Sequence, residues 1–565
     1  MAKKNAKKTD GIQISGDANN ANIVQGDNNV INLPPEYVKI NSLYQLPQAL
    51  ADFTGREDLL KEILSDFETS KGTTISGLTG LGGIGKTALG LQVAHQIKDK
   101  YPDAQIFIDL KGTTAPLTAL DIARHVILAF EPSADLRGLD ENNMQAVFQS
   151  ILNGKRALLY FDNARSAEQI AKLIPPQPCA LIVTSRWTFP VAGLKTHKVG
   201  VLDEKEAVQF LLELCPRIPD HANELAKACG YLPLALRIAG SYLGVNHNIG
   251  VDTYLAELAS VKSRLETFAK SREDAELTSE PDVFATFELS YNHLNQEQQK
   301  MWRTLGVFPA PFDSIAVAAM WEIEDVKNAE EVLSLLMRYS LIDFNEASAR
   351  YELHDLLGEF ARSKMKGGEE EEAYIQHAKH YMQVMETADE LYLQGGENIL
   401  LGLRLFDVEW ENIRSAHAWI TTNVNASESI AELGMYFPDA ATYCLDLRLP
   451  PRDKILWLEI AKDAAKKLGR RDMEGVHLGN LGLAYYSLGE VKKAIEYHEQ
   501  ALVIAREIGD RRNEGNWLGN FGSALYGSGE KEKGIESVKQ ALAIFEAIES
   551  PSAELARNKL KEWGV

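Results

Sequence analysis

Strand-like and helix-like patterns alternate in the first part of the chain. Residues 73–75, 156–163 and 180–183 have the composition of strands, the latter two of buried ones, and residues 88–97 carry apolar side chains at helical spacing. The first strand leads into the helix through a glycine-rich loop, which is a unit of α/β domains. We therefore predict an α/β domain over residues 35–195.

The last part of the chain has helical spacing and repeats itself. The segment that begins at Leu478 recurs from Leu518, and small residues recur with it, as at Gly482 and Gly522, so that two helices can pack closely. Residues 407–416 also have helical spacing, and residues 367–372 are interpreted as a hinge and a solvated acidic helix start. We predict a helical bridge over residues 366–454 and stacked helical repeats over residues 455–565, which would bind a protein or peptide ligand.

The glycine-rich loop has the sequence G-x-x-x-x-G-K-T over residues 80–87. Backbone N–H groups can wrap a polyphosphate only where side chains do not block the approach, and the glycines keep this loop bare. Lys86 supplies a cation for the β- and γ-phosphates and Thr87 a hydroxyl for Mg²⁺. The residues predicted to bind the nucleotide here are Gly80, Gly82, Gly83, Ile84, Gly85, Lys86, Thr87 and Ala88.

A carboxylate closes the apolar run at 156–163. Asp162 is placed to orient Mg²⁺ through its water shell, so we assign Asp162 and Thr87 to the metal, and Lys86 and Asp162 to catalysis. Many active ATPases carry a second acid at the next position, but here it is Asn163, which cannot act as a base. The sequence predicts slow hydrolysis, and therefore a switch more than a motor.

Arg186 follows the strand predicted at 180–183. An arginine at the carboxyl end of such a strand can sense the γ-phosphate, and it can also form a structural salt bridge. From the residues alone both interpretations stand.

Composition limits the classes of protein that fit. A length of 565 residues predicts about three or four domains. A net charge of −21 argues against general nucleic-acid binding, because phosphate backbones are held by clustered Lys and Arg. Four scattered cysteines fit free thiols, and the chain shows neither a membrane-length apolar run nor a signal peptide, so we expect a cytoplasmic protein without a membrane span.

The order of these motifs resembles the NB-ARC class of STAND NTPases, which includes plant resistance proteins and animal apoptosome proteins. The resemblance covers residues from about 50 to 365 and is nearest to the form found in actinobacterial antibiotic-pathway regulators. It is carried by residues 101–110, 161–164, 183–186 and 229–240. The repeats at residues 455–565 resemble tetratricopeptide repeats of about 40 residues.

The resemblance implies further site residues and domains. Gly55 and Arg56 would lie by the adenine and ribose, Pro233 would pack on the base, and Arg186 would sense the γ-phosphate. A helical domain is implied over 196–270 and a winged-helix domain over 271–365, acting as a latch. Residues 351–355 resemble the Met-His-Asp signature with Leu353 in the first place, so that His354 would touch the β-phosphate of ADP and hold a closed state.

Residues 1–34 hold too little apolar mass for a domain, yet residues 14–19 realign with residues 24–29. One interpretation is a disordered leader. The other is a β-forming signalling segment, since residues 11–16 are similar to amyloid-forming signalling motifs. In that case residues 11–32 would be unpaired in the monomer, stack on oligomerisation and act on a separate effector protein.

Together these features predict a signal-transduction switch that uses ADP, ATP and Mg²⁺. It would be closed with ADP and would form a homo-oligomer with ATP after a ligand binds the repeats, and its expected role is in bacterial immunity or regulated cell death. Two alternatives stay open: a repeat-scaffold, transcription-associated regulator without its own DNA-binding domain, and a conventional ATPase.

Overall fold

The structure is a computed structural model. It describes residues 13–15, 22–25, 29–32, 43–50, 53–69, 74–80, 82–112, 116–131, 134, 136, 139–271, 281–346 and 348–565. The chain forms two compact units, one with residues up to 135 and 139–373 and the other with residues 136–138 and 374–565.

The strands are β1 (Gln13–Ser15), β2 (Asn22–Gln25), β3 (Asn29–Asn32), β4 (Thr74–Thr79), β5 (Ala104–Asp109), β6 (Ala157–Ala164), β7 (Ala180–Ser185), β8 (Leu194–Lys198), β9 (Asp343–Asn345) and β10 (Arg350–Glu352). The helices of the first unit are α1 (Glu57–Thr69), α2 (Lys86–Ile97), α3 (Ala119–Phe130), α4 (Glu141–Leu152), α5 (Ala167–Ile170), α6 (Glu204–Leu214), α7 (Ala222–Ala228), α8 (Pro233–Val245), α9 (Val251–Ser271), α10 (Pro281–Asn292), α11 (Gln296–Thr304), α12 (Ser314–Met320), α13 (Val326–Arg338) and α14 (Asp355–Ser363). The remaining helices are α15 (Glu369–Gln394), α16 (Asn398–Asn423), α17 (Glu428–Tyr436), α18 (Thr442–Arg448), α19 (Pro451–Lys467), α20 (Arg471–Ser487), α21 (Val491–Ile508), α22 (Arg511–Gly527), α23 (Lys531–Ala547) and α24 (Ser552–Glu562).

A five-stranded parallel sheet organises the nucleotide-binding domain. Its order is β5-β6-β7-β4-β8, so β4, which leads into the glycine-rich loop, lies in the interior of the sheet. Strand β7 is buried along its whole length and β6 at all but one position, because helices cover both faces of a parallel sheet. All five carboxyl ends meet at one edge, which confirms the α/β prediction and gathers the site residues there.

Helices α6–α14 follow the sheet, and the described residues among them include an antiparallel hairpin. The first of these helices begins with a capping box between Asp203 and Glu206, and α8 begins with Pro233, whose missing N–H costs nothing at that position. The hairpin pairs β9 with β10, Tyr351 opposite Phe344, immediately before α14. Helices with such a hairpin are what the winged-helix prediction requires, and the assignment to that domain type stays a prediction.

The interpretation of residues 367–372 as a solvated acidic start is wrong at one position. Glu369, the first residue of α15, accepts two hydrogen bonds from the Arg303 guanidinium, at 3.0 and 2.7 Å. Arg303 is only 5% exposed and also donates to the hydroxyl of Tyr291. Glu369 therefore neutralises a buried cation, whereas Glu370, Glu371 and Glu372 are exposed as expected.

Helix pairs repeat through the second unit. Helices α20 and α21, and then α22 and α23, follow each other at the 40-residue offset, and Gly489 and Gly529 follow the first helix of each pair with φ of +77° and +99°. Close packing explains other glycines, since Trp517 occupies the place that a Cβ on Gly479 would need. The prediction of stacked helical repeats is confirmed.

Strands β1, β2 and β3 form a three-stranded antiparallel sheet. Gln13 lies opposite Val24, and Asn22 opposite Asn32, so these strands pair with one another within one chain. The expectation that they are unpaired in the monomer differs from this structure. The side chains of this segment, and its remaining residues, lie outside the described part of the chain. Among the described residues, no helix is long and apolar enough to cross a membrane.

Candidate nucleotide site

The glycine-rich loop connects β4 to α2 at the carboxyl edge of the sheet. Gly83 and Gly85 have φ of +66° and +82°, values that side chains other than glycine rarely adopt. At Gly80 an added Cβ would lie 2.6 Å from the carbonyl oxygen of Val199. The loop therefore requires glycine at these positions for its own shape as well as for access of a phosphate.

The N-terminus of α2 is built to receive an anion. Gly85 is the N-cap residue, and none of the described side chains caps the helix. Its first N–H groups and the positive end of the helix dipole are thus available for a phosphate. Lys86 is buried at this end, and its Nζ donates to the carbonyl of Gly80 at 2.9 Å, which holds the cation over the loop.

Thr87 and Asp162, the two residues assigned to Mg²⁺, meet in the structure. The Thr87 hydroxyl lies 3.0 Å from both carboxylate oxygens of Asp162, and the hydroxyl of Thr184 donates to the same carboxylate at 2.5 Å. Burial raises the pKa of Asp162 to about 7, and the nearby carboxylate of Asp109 adds to this. A hydroxyl beside a buried carboxylate fits a hard divalent cation, whose charge would stabilise the ionised acid.

Asp109 and Lys111 were not identified from the sequence. Asp109 ends β5 directly opposite Asp162 on β6. Lys111 Nζ lies 2.8 Å from Asp109 Oδ2 and donates to the carbonyl of Pro309 at 3.0 Å. A carboxylate at the end of an apolar strand was the available signal, but its closeness to Asp162 depends on the strand order.

Arg56 contacts the glycine-rich loop, and Gly55 precedes it beside Glu206. The guanidinium of Arg56 donates to the carbonyls of Ile84, Gly85 and Gly200, and its backbone N–H donates to Glu206 at 2.5 Å. Burial lowers the pKa of Arg56 to about 10, which leaves the group charged at neutral pH. This side chain holds the shape of the loop, and the predicted contact of Gly55 and Arg56 with adenine and ribose stays a prediction.

The start of α8 borders the other side of the loop. The place of a Cβ on Gly85 is 3.9 Å from Cγ of Pro233, and that of a Cβ on Gly83 is 3.1 Å from the side chain of Leu234. The backbone N–H of Leu234 donates to the carbonyl of Gly83 at 3.3 Å. Pro233 is therefore next to the predicted phosphate site, and its packing on a base stays a prediction.

His354 is the N-cap of α14, at the first turn of a helix that faces the loop. Its Nδ1 accepts a hydrogen bond from the backbone N–H of Leu356 at 3.2 Å. Burial lowers the pKa of His354 to about 4, so the ring is neutral at pH 7 and carries its proton on Nε2. A neutral imidazole with an Nε2–H donor can bind a phosphate oxygen, as the resemblance implies.

Polar contacts join the sheet edge to α14. Arg186 Nη1 lies 3.1 Å from Glu359 Oε1, and its Nη2 lies 3.8 Å from Asp355 Oδ2. The side-chain amide of Asn163 donates to Asp355 Oδ2 at 2.7 Å. The salt-bridge interpretation of Arg186 thus holds in this structure, and the role as γ-phosphate sensor stays a prediction. Glu359 had no signal in the sequence beyond its place five residues after His354.

Two protein-family models match parts of the chain. The model of the NB-ARC domain family matches residues 56–216, and that of the tetratricopeptide repeat matches residues 474–547. Regulatory protein AfsR of Streptomyces griseus is 36% identical over 332 residues, which are 56% of this chain and 33% of that protein. Disease resistance protein SUMM2 of Arabidopsis thaliana is 23% identical over 295 residues, 49% of this chain and 31% of that protein.

Among solved structures, a Signal Transduction ATPase with Numerous Domains (STAND) protein with a tetratricopeptide repeat sensor from Pyrococcus horikoshii aligns with a TM-score of 0.41 and 16% identity, covering 92% of this chain and 86% of that one. The chain spans about a third of the length of the AfsR regulator, at 33%.

A parallel sheet with a bare loop, a buried lysine and a threonine–aspartate pair defines a P-loop nucleoside-triphosphatase. More narrowly, the chain combines a region similar to the NB-ARC domain family with C-terminal tetratricopeptide repeats, as the motifs had indicated.

Proposed function

We propose that the protein is a nucleotide-dependent switch, closed with ADP and opened by ATP. The observation that carries the proposal is the position of α14, whose first turn lies on the P-loop. Places for a Cβ on Gly82 and Gly83 are 3.0 and 3.2 Å from Cδ1 of Leu356. The helix that would hold the latch therefore lies beside the atoms that would hold the phosphates.

Each residue of the site has a role in this switch. The N–H groups of the loop and Lys86 bind the phosphates, and Thr87 and Asp162 hold Mg²⁺, which neutralises phosphate charge when bound. His354 donates Nε2–H to a phosphate oxygen of ADP. A ligand that binds the open form better than the closed form shifts the equilibrium between them by that difference in affinity. ATP must therefore bind less well when α14 is packed on the P-loop.

The repeats and the N-terminal segment provide the input and the output. We propose that a protein or peptide binds the repeats and that the opened protein forms a homo-oligomer. Residues 11–32 then pass the signal to a separate effector protein. We place the protein in the cytoplasm, where its own four cysteines stay free thiols. The named relatives are regulatory and disease resistance proteins, which supports a role in regulation or in defence, including immunity or regulated cell death.

The test compares the purified protein with ADP and with a slowly hydrolysed ATP analogue, measuring mass by light scattering. We expect a monomer with ADP and a larger assembly with the analogue, and Lys86→Ala should abolish both nucleotide retention and assembly. Exposed Lys172, in an ion pair with Glu141, supplies a control as Lys172→Ala. If Lys86→Ala retains nucleotide as the native protein does, the site assignment is wrong. The same mass with both nucleotides would exclude the switch.

The names of the AfsR relatives favour a second function, a scaffold that regulates transcription through a partner bound to the repeats. In that case partner capture would be unchanged in Lys86→Ala, because binding to the repeats would not need the nucleotide. Loss of capture in this variant would favour the switch.

A further inference from the structure

A β-bulge directs Asn163 away from the sheet. The register between β6 and β7 shifts between Phe161 and Ala164, and Asn163 has a φ of +55°. Its N–H donates to the hydroxyl of Thr184 and its carbonyl accepts from the N–H of Gly112, both at 2.8 Å. Bulges beside functional sites commonly re-aim a side chain, and here the backbone of the bulged residue is held on both sides.

The side chain of Asn163 reaches a residue 192 positions further along the chain. Its Nδ2 donates to Oδ2 of Asp355 at 2.7 Å, and Asp355 is the first residue of α14. The acceptor is a carboxylate about a third exposed, at 34%, with Arg186 Nη2 3.8 Å from the same oxygen. A hydrogen bond to an ionised acceptor is roughly twice as strong as one between neutral groups.

Asparagine can make this contact, and aspartate cannot. An ionised aspartate is an acceptor only, so an acid at position 163 would place two carboxylates at hydrogen-bond distance from each other. The second acid that many ATPases carry after the Walker aspartate would thus repel Asp355 from its seat.

We propose that Asn163 is a positioning residue that ties the strand bearing Asp162 to the first turn of α14. Asn163 stands where many ATPases carry an acid that activates water. Its amide instead forms a hydrogen bond across the nucleotide site to Asp355. This inference rests on the proposed switch. It adds a specific contact, the hydrogen bond from Asn163 to Asp355, that holds the closed form together at the sheet edge. The residue from which we predict slow hydrolysis thus also stabilises the closed form.

Reversing the two groups tests the pairing. Asn163→Asp, Asp355→Asn and the double variant would be compared with the native protein for the release rate of a fluorescent ADP analogue and for the midpoint of thermal unfolding without nucleotide. Asn163→Asp should release the analogue about tenfold faster or more, since it loses a hydrogen bond to a charged group and adds repulsion. The double variant restores an amide opposite a carboxylate near Arg186, so its release rate should return to within about threefold of the native value.

The control is Asn153→Asp, at an exposed asparagine of the same domain, which should leave both readouts unchanged. If the double variant releases the analogue as fast as Asn163→Asp, or faster, the tether is refuted. If the native protein binds no nucleotide, the proposed switch fails, and the unfolding midpoints alone decide the pairing. Recovery of the midpoint in the double variant supports it, and additive losses overturn it.

Discussion

Leu356 lies against Gly82, with its Cδ1 3.0 Å from the place where a Cβ on that glycine would be. The side chain is 3% exposed. An apolar residue of α14 therefore covers the P-loop directly beside His354 and Asp355. The proposed latch therefore includes a hydrophobic contact, which needs a bare glycine on one side and a well-packed leucine on the other.

Truncation of this leucine should loosen the latch. Leu356→Ala removes buried apolar contact worth about 2–5 kcal/mol, and the part of it made with the loop exists only in the closed form. We expect faster release of a fluorescent ADP analogue, by about tenfold, measured by stopped flow with excess unlabelled ADP. Leu333→Ala, at a leucine of α13 with 0% exposure, is the control for lost stability in general. Equal release rates in the two variants would contradict a specific role of Leu356.

Lys111 provides a second test of the contact between the sheet edge and the helical region. Lys111→Met keeps much of the stem but removes the cation between the Asp109 carboxylate and the Pro309 carbonyl. Asp109 keeps the hydrogen bond from the backbone N–H of residue 111, but it then faces Asp162 without that cation. We expect weaker retention of ADP and a lower unfolding midpoint. The exposed Lys172–Glu141 pair has the same 2.8 Å separation, and Lys172→Met should change little, because exposed ion pairs contribute about 0–1 kcal/mol. Similar losses in both variants would refute a special role for Lys111.

The pair of Arg303 and Glu369 should contribute strongly to the stability of the first unit. Glu369→Gln leaves a guanidinium with 5% exposure without its neutralising partner, and breaking a buried pair in this way costs about 3–5 kcal/mol. Chemical denaturation should show the loss directly. Glu370→Gln, at the next and exposed position, is expected to stay within about 0.5 kcal/mol of the native protein. An equally small effect of Glu369→Gln would show that water solvates the Arg303 guanidinium in place of Glu369, and would contradict a strong contribution of this pair.

Local chemistry explains which parts of the site were predictable. Lys86, Thr87 and Asp162 could be assigned because phosphate and Mg²⁺ binding require particular residue types at particular spacings after a strand. The partners of Asn163 and Arg186 could not, since Asp355 and Glu359 meet them only through the packing of α14. Asp109 needed the strand order β5-β6-β7-β4-β8, which periodicity does not give. Glu369 was misjudged because its neighbours in the sequence are exposed and its partner, Arg303, is not among them.

Buried histidines should make the second unit sensitive to acid. His417 stacks on Trp457 with ring centroids 3.8 Å apart, and it is 8% exposed. Burial lowers the pKa of His417 and of His377 to about 3, and that of His477 and of His498 to about 4. Above the ordinary histidine pKa of about 6.5 both the folded and unfolded forms are neutral at these positions, so they add no pH dependence there.

Below that value the unfolded chain takes up protons that the folded unit does not, so the free energy of unfolding falls as the pH falls. The loss approaches about 1.4 kcal/mol per pH unit for each such histidine until its folded pKa is reached. We expect these histidines to contribute a stability that is flat at first and then declines to the denaturation curves of the full chain between pH 8 and pH 5, in addition to the opposite contribution of buried Asp162, whose pKa is raised to about 7. His417→Phe keeps an aromatic ring on Trp457 but cannot take up a proton. Its free energy of unfolding should therefore decline less steeply with falling pH, by the contribution of one histidine, which is at most about 1.4 kcal/mol per pH unit. The exposed His247, changed to Gln, serves as the control, and an unchanged slope in His417→Phe would show that this ring does not contribute to the acid sensitivity.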